Sequence, residues 1–352
     1  MGSMSEPRET SPSNERPFAA LTPDVVLDAL DAVGLRGDGR LLQLNSYENR
    51  VFQVFLEDGS VVVPKFYRPR RWTDEQILEE HRFAAQLAAA EVPVVAPLIL
   101  TTSMDSPMQV ALTGDPPTLA SGAGHRFAVS PRRSGRAPSL ESMDQLEWIG
   151  RFIGRMHAVG ATEPFKHRLN LSVAMLGRTS RDWISASGLL PPDAQPLWTG
   201  VVDEALDLAD AAFERASPTR SIRLHGDCHL NNVLWTENGP HFVDLDDAMN
   251  GPAVQDLWMM LSGEANANRE QMRALLTGYE SFMEFDDREL GLIEALRTLR
   301  LVHHSAWLAK RWHDPAFPPA FPWFGGAAYW QQQTQVLREQ VAAMRATPFM
   351  PR

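Results

Sequence analysis

The chain has 352 residues, 44% of them hydrophobic, and a formal net charge of −11, which is enough apolar sequence for one large or two ordinary domains. The acidic balance argues against wholesale binding to nucleic acid or anionic membranes, because like charges repel, and no apolar run reaches the roughly 18 residues that span a bilayer. Cys228 is the single cysteine, which excludes an intrachain disulfide and favours a reducing compartment, with the cytoplasm as the expected location.

The N-terminal region begins with a polar segment and then a helix. Residues 1–17 are rich in serine, proline and charge, and they start with MGSM, which has the form of a tag remnant. Such a composition predicts disorder, because too little apolar surface is available to offset the ordering entropy. Thr22 and Pro23 have the pattern of a helix start, and apolar residues at helical spacing up to Gly34 predict a short amphipathic helix.

Strands and a second helix are predicted next. The segments RVFQVFLE and SVVVPKFY flank Asp58-Gly59, which predicts an antiparallel hairpin with a type I′ turn. Pro64 lies inside the second strand, where it cannot donate a ladder hydrogen bond. Thr73 and Gln76 have the pattern of a capping box at the start of a helix that ends before Pro93. Residues 94–130 resemble another hairpin, with the Gly/Pro/Ser-rich TGDPPTLASGAG as a long mobile tip.

The segment PRRSGRAPS, residues 131–139, is predicted to be a hinge, because nearly all periodic stretches beyond it have helical spacing. Leu146, Ile149, Ile153 and Met156 form one apolar stripe. Further helices are predicted over residues 200–215, 266–283, 287–312 and 327–345. A strand-rich part before a helix-rich part is typical of an α+β protein with two lobes, here residues 18–130 and 131–352.

The stretch LHGDCHLNNVLWTENGPHFVDLDD, residues 224–247, concentrates acids and amides in one short region. Two apolar segments flank the turn Glu237-Asn238-Gly239 and predict a hairpin that brings Asn232 and Asp244 to the same end. Asp244 and Asp246 are expected to share a face of the second strand because strand side chains alternate, whereas Asp247 points away.

Phosphoryl transfer from ATP requires a cation on the phosphates, an acid that orients it, a base near the acceptor hydroxyl and oxygen ligands for Mg²⁺. The sequence has a candidate for each role. Lys65 is the predicted phosphate-binding cation, and Glu79 or Glu80 of the next helix is its predicted partner, since helical periodicity does not decide between them. The other candidates are Asp227 as the proton acceptor, and Asn232 and Asp244 as Mg²⁺ ligands.

Five stretches resemble the bacterial stress response kinase A family: NSYENRVFQV, KFYRPRRWTDEQILEEH, LHGDCHLNNVLW, FVDLDDAMNGPAVQDLWMML and RWHDPAFP. The resemblance implies the protein-kinase-like bilobal fold of the aminoglycoside and choline kinases, with a small antiparallel-sheet N-lobe and a larger, mainly helical C-lobe. It also implies a Ser/Thr protein kinase that depends on ATP and Mg²⁺ and phosphorylates other proteins or itself.

The same resemblance assigns roles to individual residues. It implies Asp227 as the proton acceptor, Asn232 and Asp244 as the Mg²⁺ ligands and Lys65 as the phosphate-binding lysine. In addition, it favours Glu80 over Glu79 as the partner of Lys65, Ser46 would contact ATP, and Asp256 would hold the catalytic loop in position. In such a kinase, ATP is expected between the lobes, contacted by backbone groups near residues 127–131.

Three functions stay open at this level. The first is a monomeric Ser/Thr protein kinase with an unidentified protein acceptor. The second is a small-molecule kinase of the choline, aminoglycoside or homoserine type, which an acidic acceptor pocket would favour because such substrates are cationic. The third is a nucleotide-binding pseudokinase without turnover.

Overall fold

The computed structural model describes residues 16–139, 142–263 and 265–346. Of the segment predicted to be disordered, residues 1–15 lie outside these ranges, whereas residues 16 and 17 are described and Pro17 lies in a turn. A six-stranded antiparallel sheet forms the first part, with the strand order β1-β2-β3-β6-β5-β4. Its strands are β1 Gly37–Gln43, β2 Arg50–Leu56, β3 Val61–Phe66, β4 Ala111–Gly114, β5 Pro117–Gly122 and β6 His125–Pro131.

Two helices pack with this sheet, and both predicted helix starts are confirmed. Helix α1, Pro23–Ala32, begins at Thr22, whose Oγ1 accepts a hydrogen bond from the Val25 N–H at 3.3 Å. Helix α2, Asp74–Ala89, begins with the predicted capping box between Thr73 and Gln76. These caps satisfy N–H groups that have no partner inside the first helical turn, which is why the local sequence is sufficient to place both helix starts.

The β2–β3 hairpin is confirmed, but its turn is not the predicted type I′. The Leu56 N–H donates to the Ser60 carbonyl at 2.9 Å, and the Gly59 N–H donates to the Leu56 carbonyl at 3.0 Å. Gly59 has a φ of +84°, whereas Asp58 is not among the residues with positive φ. A type I′ turn needs two successive positive φ values, so the connection is instead a three-residue loop that ends in a left-handed glycine.

The predicted mobile tip over residues 113–124 is wrong, because its central part is strand β5. This strand pairs with β4 on one side and β6 on the other. Leu119 and Ala120 are fully buried. Composition suggested a loop, but the burial of two apolar side chains and ladder pairing with both neighbours decide in favour of a strand.

Pro64 lies on β3, which is an interior strand between β2 and β6. Pairing with β6 is continuous from Val62 to Phe66, whereas pairing with β2 skips Val63 and Pro64. The interruption coincides with the missing N–H of Pro64, and Lys65 keeps its register with Val51 on one side and Ala128 on the other.

The second part of the chain is mainly helical. Its helices are α3 Met143–Gly160, α4 Thr179–Ala186, α5 Gln195–Ala216, α6 Val254–Trp258, α7 Ala265–Tyr279, α8 Ile293–Arg311, α9 Phe317–Ala320 and α10 Ala327–Arg345. The predicted stripe on α3 is confirmed, since Leu146, Ile149, Ile153 and Met156 are all fully buried. The other predicted helices correspond to α5, α7, α8 and α10, with residues 287–292 forming a 3₁₀ helix before α8. No described helix is long and apolar enough to span a bilayer.

The chain between α5 and α6 forms two small antiparallel strand pairs. Strand β7, Ile222–Leu224, pairs with β10, Met249–Gly251, and β8, Val233–Thr236, pairs with β9, Gly239–Phe242. The predicted hairpin around Asn238 is therefore confirmed. The described chain between the end of β6 and the start of α3 has no helix and no extended strand, and we propose that the lobe boundary lies there.

Candidate active site

A cleft of about 1000 Å³ contains all the residues that the sequence singled out for chemistry. Its lining comes from the loop between β1 and β2, from β3 and α2, from residues 226–247 and from α8. The predicted site residues that line it are Ser46, Lys65, Glu80, Asp227, Asn232 and Asp244. The fold thus brings together side chains that are spread over almost 200 positions of the sequence.

Asp256 holds the loop that precedes Asp227, in the position that the family resemblance implied. Its carboxylate is fully buried and accepts hydrogen bonds from the N–H groups of His225 at 2.8 Å and Gly226 at 2.9 Å. His157 Nε2 lies 3.0 Å from the same carboxylate. Gly226 has a φ of +84°, and a Cβ there would lie 2.1 Å from the Asp247 carbonyl oxygen, so the loop requires glycine.

The Asp227 carboxylate is contacted through both of its oxygens. Arg300 Nη1 lies 2.6 Å from Oδ1, and His229 Nε2 lies 3.4 Å from Oδ2. Burial raises the pKa of Asp227, but the hydrogen bond from His229 and the charge of Arg300 outweigh it and hold that pKa well below its ordinary value. The carboxylate is therefore ionised at neutral pH.

Asn232 and Asp244 lie at the same end of the β8–β9 hairpin, as predicted. The Asn232 side-chain nitrogen donates to the Asp227 carbonyl at 3.0 Å, which leaves the amide oxygen available. The Val243 N–H donates to the Asn232 carbonyl at 3.0 Å and closes the hairpin. The Asp244 side chain is 57% exposed and lines the cleft.

The strand-alternation argument for Asp244 and Asp246 is wrong, although both acids face Lys65. Strand β9 ends at Phe242, Asp244 has a φ of +63°, and residues 245–247 form a 3₁₀ turn. Asp246 Oδ1 lies 2.9 Å from Lys65 Nζ and Asp244 Oδ1 lies 3.4 Å from it. The left-handed residue, rather than an extended strand, turns both carboxylates toward the lysine.

Lys65 is held by aspartates and not by a glutamate of α2. Burial lowers the pKa of Lys65, but Asp246 and Asp244 outweigh that effect and raise it well above its ordinary value. Glu79 is engaged elsewhere, since it accepts the N–H groups of residues 166–168 at 2.7 to 2.9 Å. Glu80 is buried at the edge of the cleft, and burial, opposed by Lys65, raises its pKa.

The predicted Lys65–Glu80 ion pair is not formed in this conformation, because the ion pairs of Lys65 are with Asp244 and Asp246. Of the two adjacent glutamates, Glu80 is the one that lines the cleft near Lys65, whereas Glu79 organises a backbone turn. The register chosen from the family resemblance therefore agrees with the side of α2 that faces the cleft.

Arg71 is the cleft residue that the sequence did not rank above its neighbours. Its guanidinium lies 2.6 Å from Asp246 Oδ2 and 2.5 Å from Asp247 Oδ1. A buried carboxylate requires a cation or hydrogen-bond donors, and Asp246 is only 4% exposed. In the sequence, the acid cluster indicated only that a countercharge is required. Arg70 meets that requirement as well as Arg71 does, but Arg70 is exposed in the structure.

The loop that contains Ser46 is attached to α8 through Glu48. The Glu48 carboxylate lies 2.5 Å from Arg311 Nε and accepts a hydrogen bond from Trp307 Nε1 at 2.6 Å. Arg68 Nε lies 3.2 Å from the same carboxylate. Burial raises the pKa of Glu48, but the surrounding arginines outweigh it and lower the pKa below its ordinary value. The loop beside the proposed nucleotide site is therefore held by contacts with the helical part.

Comparison with known proteins identifies the family. A model described as "Phosphotransferase enzyme family" matches residues 40–293, a range that includes all the predicted site residues. The chain belongs to this family. Within it, the phosphotransferase is 45% identical to stress response kinase A of Escherichia coli, over 94% of this chain and 96% of that protein. It is 42% identical to the serine/threonine protein kinase RdoA of Salmonella typhimurium, with the same coverage of both chains.

The sequence resemblance to the stress response kinase A family is thus confirmed, and solved structures confirm the fold. An amicoumacin kinase, hAmiN, in complex with AMP-PNP, Ca²⁺ and Ami superimposes with a TM-score of 0.68 at 20% identity, covering 93% of this chain and 95% of that one. A microcompartment-associated aminopropanol kinase superimposes with a TM-score of 0.63 at 17% identity, covering 92% and 97%. The predicted α+β architecture, a small antiparallel sheet followed by a helical part, is the architecture of this phosphotransferase.

Proposed function

We propose that this phosphotransferase moves the γ-phosphoryl group of ATP to a Ser or Thr hydroxyl of a protein, in the bacterial cytoplasm and as part of a stress response. The observation that supports the chemistry best is that Asp227, Asn232, Asp244 and Lys65 line one cleft. The proposed protein acceptor rests on the names of the relatives, which are a stress response kinase and a serine/threonine protein kinase.

The nucleotide would lie at the Lys65 side of the cleft. Lys65 would bind the phosphates, with Glu80 as the nearby carboxylate of α2, and Ser46 would contact the phosphates from the loop between β1 and β2. The Asn232 amide oxygen and the exposed Asp244 carboxylate are hard oxygen donors at one end of a hairpin, so they fit a divalent cation such as Mg²⁺. Bound there, the cation would neutralise negative charge on the phosphates.

Asp227 would act as the base at the other side of the cleft. Its ionised carboxylate would orient the acceptor hydroxyl and take its proton as the oxygen attacks phosphorus. Asp256 would act through the backbone, because its hydrogen bonds fix His225 and Gly226 immediately before Asp227. It is a positioning residue.

The decisive measurement is transfer of labelled γ-phosphate from Mg-ATP to the protein itself, to a generic Ser/Thr protein, to choline and to an aminoglycoside. Asp227→Asn should lower transfer by roughly 10²- to 10⁴-fold, the usual contribution of a general base. Glu237→Gln, on the exposed turn at the far end of the same hairpin, is the matched control and should keep full activity.

Each alternative has its own result in this assay. Label that enters only choline or the aminoglycoside would replace the protein-kinase proposal with a small-molecule kinase. Thermal stabilisation by Mg-ATP without transfer and without ADP release would indicate a pseudokinase. If the Asp227→Asn variant still labels protein at the wild-type rate, Asp227 is not the base.

A further inference from the structure

The side of the cleft that faces Asp227 is formed by one face of α8. The α8 residues that line the cleft recur at helical spacing, and none of them is acidic: Leu296, Arg300, His303, His304 and Trp307. Burial lowers the pKa of His304, and Arg300 lowers it further, so the imidazole is neutral and Arg300 supplies the fixed positive charge of this face.

Three other carboxylates of the cleft have arginine or lysine partners. Asp246 contacts Lys65 and Arg71, and Arg71 also contacts Asp247. Glu48 is paired with Arg311 and other arginines. Among the described residues, the face of α8 beside Asp227 therefore offers a cation and no carboxylate, in contrast to the acidic pocket that a choline-type or aminoglycoside-type acceptor would require.

Arg300 contacts one oxygen of the proposed base. Its Nη1 lies 2.6 Å from Asp227 Oδ1, and its side chain is 44% exposed. Among the described ion pairs, Asp227 is the carboxylate partner of Arg300. A hydroxyl that approaches Oδ1 competes with the guanidinium for this oxygen, and a displaced guanidinium needs another anion, because a charge-assisted hydrogen bond is strong and its loss is unfavourable.

We propose that the acceptor is an acidic Ser- or Thr-containing segment of a protein, in which a carboxylate lies near the hydroxyl, and that Arg300 recognises this carboxylate. The proposal rests on the protein-kinase function proposed above and specifies its substrate class. The acceptor carboxylate binds the Arg300 guanidinium and draws it from Asp227, which leaves Oδ1 free for the hydroxyl.

The transfer step then needs no reactant other than ATP and the acceptor. The hydroxyl oxygen forms a bond to the γ-phosphorus, and its proton passes to Asp227. The bond between the γ-phosphorus and the β,γ-bridging oxygen breaks, and its electron pair stays on ADP. Binding of an acidic acceptor thereby also releases Asp227 from Arg300. Arg300 is a specificity-determining residue.

The test uses three serine peptides that differ only in the residues beside the serine, which are Glu, Gln or Lys. Wild type, Arg300→Gln, Arg300→Lys and Arg297→Gln are compared in two assays: transfer from labelled Mg-ATP, and calorimetric binding of each peptide in the presence of Mg-AMP-PNP. Arg297 is the matched control, because it lies one turn earlier on α8, pairs with Glu294 and does not line the cleft.

We expect wild type and Arg297→Gln to prefer the Glu peptide over the Lys peptide by roughly tenfold or more in kcat/KM and in affinity, the value of one charge-assisted pair. Arg300→Gln should lose this preference mainly through KM, and Arg300→Lys should keep part of it. Thermal stabilisation of each variant by Mg-ATP establishes that the fold is intact.

Two results would overturn the inference: equal use of the Glu and Lys peptides by wild type, or an acidic preference that persists in Arg300→Gln. The binding assay separates this failure from failure of the proposed function. If no peptide is phosphorylated but the Glu peptide still binds in an Arg300-dependent way, the protein-kinase proposal fails and the charge selectivity stands. If no peptide is phosphorylated and binding shows no charge preference, both fail.

Discussion

At the scale of single residues, neighbouring acids of the same type are given different properties by their surroundings. Burial raises the pKa of Asp246, but Arg71 and Lys65 outweigh it and hold that pKa far below its ordinary value. Burial raises the pKa of Asp247, and Arg71 compensates only in part. Asp244 has the most exposed side chain of the three. Structural ion pairing therefore falls on Asp246, and Asp244 is left accessible to ligands.

Glu289, which does not line the cleft, offers a test of how stability depends on pH. It is 2% exposed, its carboxylate accepts the Val254 N–H at 2.9 Å, and burial raises its pKa to about 7 from an ordinary value of 4.5. Because the folded-state pKa is the higher one, the folded protein binds the extra proton between these values, and stability is lost as the pH rises through them.

Glu289→Gln removes this proton linkage. Relative to the variant, the wild-type free energy of unfolding should fall by roughly 3 kcal/mol between about pH 4.5 and pH 8. Urea unfolding at a series of pH values measures it, with Glu237→Gln on the exposed β8–β9 turn as the control. Parallel stability curves for wild type and Glu289→Gln would contradict the prediction.

At the scale of elements, α3 and α7 pack with their backbones in contact. A Cβ at Gly150 would lie 2.0 Å from the Leu275 carbonyl oxygen, and a Cβ at Gly278 would lie 1.9 Å from the Glu147 carbonyl oxygen. Helix α3 also supplies His157, whose ring lies between Asp256 and Tyr279. Helices α3 and α7 approach each other closely at these glycines. This packing fixes the position of His157, which contacts the Asp256 carboxylate that supports the Asp227 loop.

Gly150→Ala and Gly200→Ala make a matched pair. The first should destabilise the protein by about 1–3 kcal/mol or more, because the backbones must separate. The second lies on α5 with no atom within 4 Å of an added Cβ and should stabilise it by about 0.5–1 kcal/mol, because alanine has less backbone freedom to lose on folding. Denaturant unfolding of both variants checks this, and equal effects would exclude close packing as the cause.

At the scale of the whole molecule, the sheet and the helical part are joined by buried ion pairs beside the cleft. Glu48 contacts Arg311 of α8, and Arg68, just beyond β3, contacts Asp314 at 2.7 Å. Asp314 belongs to the RWHDPAFP motif, which thereby has a structural explanation. The loop that contains Ser46 is therefore positioned by residues that lie more than 250 positions later in the chain.

Glu48→Gln tests whether this attachment supports nucleotide binding. Loss of the charge should free the loop that contains Ser46 and weaken ATP binding by about tenfold, equivalent to about 1.4 kcal/mol. Calorimetric titration with Mg-AMP-PNP measures the change, and Glu57→Gln, on the exposed β2–β3 turn, is the control. An unchanged Kd for Glu48→Gln would mean that the loop does not depend on α8.

The sequence alone determined the features that depend on neighbouring residues. Capping patterns placed the starts of α1 and α2, apolar periodicity located α3 and α7, and two hairpins followed from their turn residues. The same local motifs, together with the family resemblance, assembled the set of site residues that the cleft contains. Such signals are readable because the interactions responsible span only two to four positions.

Only the tertiary structure decided which charges meet. Lys65 and Asp244 are 179 positions apart, Arg71 and Asp246 are 175 apart, and Arg300 and Asp227 are 73 apart. Composition alone would allow any of several arginines to pair with these acids. The burial of Asp246 and the left-handed turn at Asp244 select particular partners. The choice of Asp246 over Glu80 for Lys65, and the cation at Asp227, follow from three-dimensional desolvation and distance, which no local pattern records.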